Sequence, residues 1–329
     1  MFFWKSNKKD LEKALSDIKA IKAENTLLKK ELSSIQIMTR GNIPVSTTTK
    51  KQDASNYIQE CLDSGISIPE SLTGEYYYYT KQSVLRGCVN LAGRTFKTDK
   101  NTTFLLCRGQ KLRLLGFPLI DLSEVKEPNA VVIKMQHFSE HIIAPIIEAT
   151  IHGDPLKNKQ GIGFTGLEFD KLTPFETDYH AGNYQKAEIH NGTFRLYTRY
   201  LNIGFKSDKT GGGGANCHEL VHIVDQGSKQ ALYLKDTGGI KEINIWSQPM
   251  YNLKEEEKDI PYIYLASDRN NLIYDADVKN GSKIESSDDN KYWTHSTVIE
   301  NLGDNNTLNK LMAYGKFNKI KGLDKFELK

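Results

Sequence analysis

No CxxC pair occurs among the four cysteines of this 329-residue chain, Cys61, Cys88, Cys107 and Cys217, and their spacing fits no metal site. They read as free thiols that pack as small hydrophobes. Net charge is also scarce. The 44 Lys and Arg against 41 Asp and Glu leave +3, which removes any broad electrostatic case for a nucleic-acid partner. No apolar run approaches the roughly 20 residues of a membrane span, so no membrane insertion is expected. The start, MFFWKSNKKD, turns to charge before it can form the apolar core of a signal peptide. A soluble chain made in the cytoplasm is the expectation. Hydrophobic residues at 38% with 25 Gly are lean for a helical globule and suit a narrow core with many turns.

Residues 10–38 carry a heptad pattern. With a at Leu11, Ile18, Asn25 and Leu32, d falls at Ala14, Ile21, Leu28 and Ile35. An apolar seam at period 3.5 favours a coiled coil over a surface helix. Asp17 and Glu24 at g would face Lys22 and Lys29 at e of a neighbouring parallel chain, and Asn25 at a would fix the register. The domain boundaries follow from composition: 1–40 an N-terminal coiled-coil or attachment helix, 41–52 a linker, 53–329 the body.

In the body helical period nearly vanishes. Short strand-like runs take over: Thr103–Leu106, Lys111–Leu115, Ala130–Lys134, Ile146–Ile151, Gly166–Asp170, Ala187–His190, Thr193–Tyr197, Gln230–Leu234, Ile240–Trp246, Tyr262–Leu265 and Asn271–Tyr274. Turn residues such as Asn191-Gly192 separate many of them. Leu308, Leu311 and Met312 stand at helical spacing and predict a helix within 308–329 that closes the far end.

The segment that opens the body has Asp53, an amphipathic helix with Ala54, Tyr57, Ile58, Cys61 and Leu62 on one face, then Gly65, the run Ile66–Ile68 and Pro69. This order resembles the opening of pectate-lyase-like right-handed β-helix proteins, including bacteriophage tailspikes. Those proteins begin with an Asp, an "AIQ"-type helix (here Tyr57-Ile58-Gln59), a glycine, a short strand and a Pro-containing turn. The chain departs from the pattern where five residues separate Pro69 from Glu75-Tyr76. The resemblance implies a mainly β fold, a single-stranded right-handed parallel β-helix preceded by the coiled coil, with the helix at 54–62 as its N-terminal cap. It further implies a virion tailspike or tail-fibre protein, homotrimeric, attached to a tail or capsid protein through its N-terminus. Its partner would be a host cell-surface polysaccharide, bound and possibly depolymerised, with no cofactor.

Sugar binding draws on aromatic faces, and the candidates are Trp246, Tyr251, Tyr262, Tyr264 and Trp293, with Tyr76 to Tyr79, Tyr184, Tyr197 and Tyr200 as further aromatics. Glycoside hydrolysis needs two carboxylates, and the candidates are Glu168, Asp170, Asp225, Asp236 and Glu242. Arg195 and Arg199 flank a strand where a lyase would want a basic group. One motif points elsewhere. His218, Glu219 and His222 spell H-E-x-x-H, and Glu242 follows twenty residues later. On a helix this resembles a thermolysin-like zinc metallopeptidase, with His218, His222 and Glu242 as ligands, Glu219 as base and His295 as donor. Trp246 stands where such enzymes carry an aspartate, four preceding glycines disfavour a helix, and Glu219–Asp225 reads equally as a strand.

Overall fold

The computed structural model describes residues 13, 15–26, 43–109, 111–135, 142–160, 163–169, 189–208, 217–235, 239–248, 253–267, 269–276, 299–311 and 320–328. Among these the chain is mainly β, its strands joined by parallel pairing into a 13-stranded and a 9-stranded sheet. The chain opens with β1 (Tyr77–Tyr78), β2 (Ser83–Leu85), β3 (Cys88–Asn90), β4 (Thr95–Lys97), β5 (Leu105–Cys107), β6 (Arg113–Leu115), β7 (Leu119–Asp121), β8 (Val131–Met135) and β9 (Ile142–Ile143). From β10 (Ile146–His152) the order is regular: β11 (Thr165–Phe169), β12 (Ile189–Arg199), β13 (Ile203–Asp208), β14 (Cys217–Gln226), β15 (Gln230–Lys235), β16 (Ile240–Gln248), β17 (Ile263–Ala266), β18 (Asn271–Ala276), β19 (Ile299–Asn301), β20 (Asn306–Leu311), β21 (Ile320–Lys321) and β22 (Phe326–Leu328). Even-numbered strands from β10 onward lie in the first sheet and odd-numbered ones in the second. From β12 onward each pairs with the strand two before it.

The early passes are built differently. β3 and β6 lead into the first half of β10, at Ile146 and Ile147, while β4 and β7 lead into its second half, at Thr150 to His152. Between β6 and β7 the chain turns at Gly116, where φ is +89° and a Cβ would come within 2.6 Å of the Ala92 amide nitrogen. Only glycine fits such a corner. In β10 the corner is straightened, so three short strands per pass become two longer ones.

Parallel in-register pairing stacks equivalent positions, so alternation along each strand becomes columns through the molecule. One inward column runs Val89, Leu114, Ile147, Phe194, Val221, Ile243, Leu272, Leu308. Every member is buried. Opposite it in the second sheet stand Leu105, Ile133, Leu167, Phe205, Leu232, Ile263 and Ile299, also buried. Complete burial of each such side chain is worth about 1.5–3 kcal/mol. A second inward column changes character: Tyr77, Phe96, Ile120 and Ile151 are followed by Thr198, Asp225 and Ser247.

The helix Ser55–Ser64 covers the leading end. Its C-terminus is Gly65 at φ +66°, the left-handed residue that the Ser64-Gly65 pair predicts. Asp53 accepts hydrogen bonds from Ser55 and Thr80. The Gln59 side-chain amide accepts from the Val84 N–H at 2.7 Å and donates to the Val84 carbonyl at 3.1 Å, standing in for a preceding strand at the edge of β2. Within the linker, Ser46 exchanges both backbone hydrogen bonds with Tyr76.

The predicted closing helix is not formed. Leu308 and Leu311 lie on strand β20, where pairing with Leu272 and Tyr274 of β18 overrides two residues at helical spacing. Asn191-Gly192 is not a turn either: it sits inside β12 as a bulge, with Asn191 at φ +54° and register shifts beside Gly192. A Cβ at Gly192 would meet the Phe194 ring at 2.6 Å and His218 Nδ1 at 3.2 Å.

Candidate functional site

The H-E-x-x-H motif lies on strand β14, not on a helix. Because the register shifts at the bulge, His218 faces inward while His222, between buried Val221 and Ile223, faces outward. The two imidazoles are therefore on opposite faces of one sheet. His218 is 3% exposed and ringed by Phe169, Phe194 and Phe205 at centroid distances of 5.1, 4.9 and 6.3 Å. Neither of its ring nitrogens has a hydrogen-bond partner among the described residues, and burial pushes its pKa down to about 3. Glu219 pairs with Lys241. The His222 pKa is lowered by burial and then by Arg195, with Glu242 opposing. Among the described residues no group of three His, Cys, Asp or Glu is placed to hold a metal ion. His295 lies outside them.

The predicted carboxylates are scattered. Glu168 faces outward on the second sheet and is ion-paired with Lys206 at 2.7 Å. Glu242 is partly exposed beside His222. Asp170 and Asp236 lie outside the described residues. Asp225 is fully enclosed in the core, which corrects its reading as a surface catalyst. It accepts hydrogen bonds from the Thr198 hydroxyl at 2.6 Å, the Tyr262 hydroxyl at 2.6 Å and the Ser228 N–H at 3.2 Å. Burial still raises its pKa.

The aromatic candidates divide as well. Tyr262 is buried and serves Asp225, so it meets no surface ligand. Tyr76 to Tyr79 are likewise buried. Tyr264 faces outward on the second sheet, stacked on Tyr233 at 4.9 Å. Tyr184, Tyr251 and Trp293 lie outside the described residues. Trp246 is different: it lines a cavity of about 560 Å³ on the outward face of the first sheet.

That cavity is built by register. Across β10, β12, β14 and β16 one outward row reads Thr150, Tyr197, Val224, Trp246, and the row beside it reads His152, Arg199, Gln226. All seven line the cavity. Phe117, at the positive φ of +50° after Gly116, sets its ring edge against Tyr197 at 5.1 Å. Arg199 is positioned by its neighbour: its guanidinium carbon lies 5.6 Å from the Tyr200 ring centre. Tyr200 in turn covers Gly227, where a Cβ would approach the ring to 2.8 Å. The Arg199 Nε is buried and has no hydrogen-bond partner among the described residues. Burial, then the Arg199 charge, hold His152 below its ordinary pKa, with Asp121 opposing. Aromatic faces beside an arginine, an amide and a hydroxyl form a surface suited to sugar rings and their substituents. No carboxylate is among the described residues lining it.

Sequence reasoning reached Trp246 and Tyr197 through their residue type. It missed His152 and Gln226, and it named Arg199 only together with Arg195, as a basic group beside a strand. The Tyr197-Thr198-Arg199 alternation puts two of these side chains on one face, but which strands stand beside them is a matter of pairing that no local pattern carries.

No protein-family profile, curated protein or solved structure matches this chain.

Proposed function

We propose that the chain is a bacteriophage tailspike or tail-fibre protein that binds a host cell-surface polysaccharide in the Tyr197–Trp246 cavity. In this reading the body is a single-stranded right-handed β-helix, and residues 1–40 form a parallel coiled coil that aligns three chains and attaches them to the virion. The observation that carries it is the outward row with Tyr197 and Trp246 two strands apart, a separation of about 9.6 Å along the stacking direction. A linear glycan crossing the strands would meet one aromatic and then the other. The regular alternation of the chain between two parallel sheets supports the β-helix. Ile18 and Ile21, an a and a d residue on the helical stretch 15–26, are about half exposed, which supports a seam awaiting other chains.

The test pairs light scattering with co-sedimentation on purified bacterial surface polysaccharides. The reading expects a trimeric mass, and retention on at least one polysaccharide that Tyr197→Ala and Trp246→Ala both abolish. A monomer that no polysaccharide retains would contradict it.

A further inference from the structure

We infer that the cavity selects acidic polysaccharides, with a sugar carboxylate held by Arg199 beside a sugar ring resting on Tyr197. This rests on the glycan-binding reading above and adds the chemical class of the ligand.

The charges nearby on the same sheet are paired: Lys97 with Asp121 at 3.0 Å and Arg195 with Glu148 at 3.0 Å. Arg199 has no acidic partner among the described residues, and its buried Nε donates to none of them. A guanidinium at a cavity wall with no acidic partner among the described residues is best completed by a planar oxyanion, because the fork of its terminal nitrogens matches a carboxylate in two parallel hydrogen bonds. Its position is fixed from both sides. The Tyr200 ring faces its guanidinium, and its own carbonyl accepts from the Gly153 N–H at 2.8 Å.

Geometry then assigns the subsite. Tyr197 and Arg199 are two residues apart on one strand, so they share a face about 6.6 Å apart. A ring on Tyr197 would direct an equatorial substituent toward Arg199. Trp246 lies two strands on, with Val224 and Gln226 between it and the arginine.

The experiment measures the affinity of the 329-residue chain for polygalacturonate, alginate, hyaluronate and polysialate, each against its carboxyl-reduced form, with dextran and dextran sulfate as neutral and polyanionic references. At least one acidic polymer should bind roughly tenfold or more tighter than its reduced form. Arg199→Gln should erase that ratio and Arg199→Lys should restore only part of it, while Trp246→Ala should weaken both forms alike. Circular dichroism on the Arg199 variants separates loss of recognition from loss of fold, and Arg199→Lys keeps the charge where Arg199→Gln fails to fold. Equal binding of acidic and reduced polymers, an unchanged ratio in Arg199→Gln, or equal binding of dextran sulfate would overturn the inference. Binding of neutral glycans alone would remove the acidic specificity and leave the glycan site standing. Binding of no polysaccharide would remove both.

Discussion

Two inward-facing titratable side chains show how far a residue's role depends on what stacks against it. His218 belongs to a motif that on a helix would be a metal site, and on β14 it fills a cage of three phenylalanines. Its folded pKa of about 3 lies below the unfolded value of 6.5, so between these values the unfolded chain binds the extra proton. Stability is therefore retained above pH 6.5 and lost as pH falls, with a slope approaching 1.4 kcal/mol per pH unit. Urea unfolding at pH 4 to 7 should show this slope, and His218→Leu should flatten it while gaining on the order of 1 kcal/mol at pH 7 from removal of unpaired nitrogens. Asp225 has the opposite sign. Its folded pKa is raised by burial, so its contribution is present below pH 3.8 and declines as pH rises through the folded value. Asp225→Asn keeps an acceptor for Tyr262 and Ser228 and can donate to Thr198, so it should match or exceed the parent at pH 8. Asp225→Ala, which removes the acceptor of those three hydrogen bonds, should cost about 3 kcal/mol in the same denaturation experiment.

At the scale of the element, the leading helix was legible in full. The apolar stripe through Ile58 and Cys61, the Gly65 stop and the placing of Asp53 and Gln59 each have a structural counterpart, because a capping helix is specified by local residues. Gln59→Ala should expose the edge of β2, lowering the unfolding temperature and raising the tendency to aggregate, as read by thermal scanning with light scattering. The strand-like runs read between Thr103 and Tyr274 each overlap an observed strand, whereas Leu119–Asp121 and Ile203–Asp208 were not read as strands. The failures have a common physical cause, which is pairing with a neighbouring strand. Asn191-Gly192 carries turn chemistry, yet β9 and β10 on one side and β14 on the other hold it in line and turn it into a bulge that makes room for Phe194 and His218. Leu308 and Leu311 have helical spacing over too short a span to resist β18.

For the whole molecule, the candidate site was legible only in part. Trp246 and Tyr197 were visible as aromatics, whereas His152, Arg199 and Gln226 become neighbours only through register across strands separated by dozens of residues. Tyr262 and Asp225 looked like surface chemistry and instead complete a polar segment of the core, since alternation tells which residues share a face but not which face is inside. The two sheets give the chain two outward faces, each with an aromatic pair: Tyr197 and Trp246 on the first, Tyr233 and Tyr264 on the second. Glycan recognition is proposed for the first, where the aromatics border a cavity with Arg199. The most direct measurement is the dissociation constant of the 329-residue chain for a polysaccharide it binds, compared between Trp246→Ala and Tyr264→Ala. A loss of roughly tenfold or more for Trp246→Ala, with Tyr264→Ala unchanged, is the predicted result. The reverse pattern would contradict the assignment and move the binding face to the other sheet.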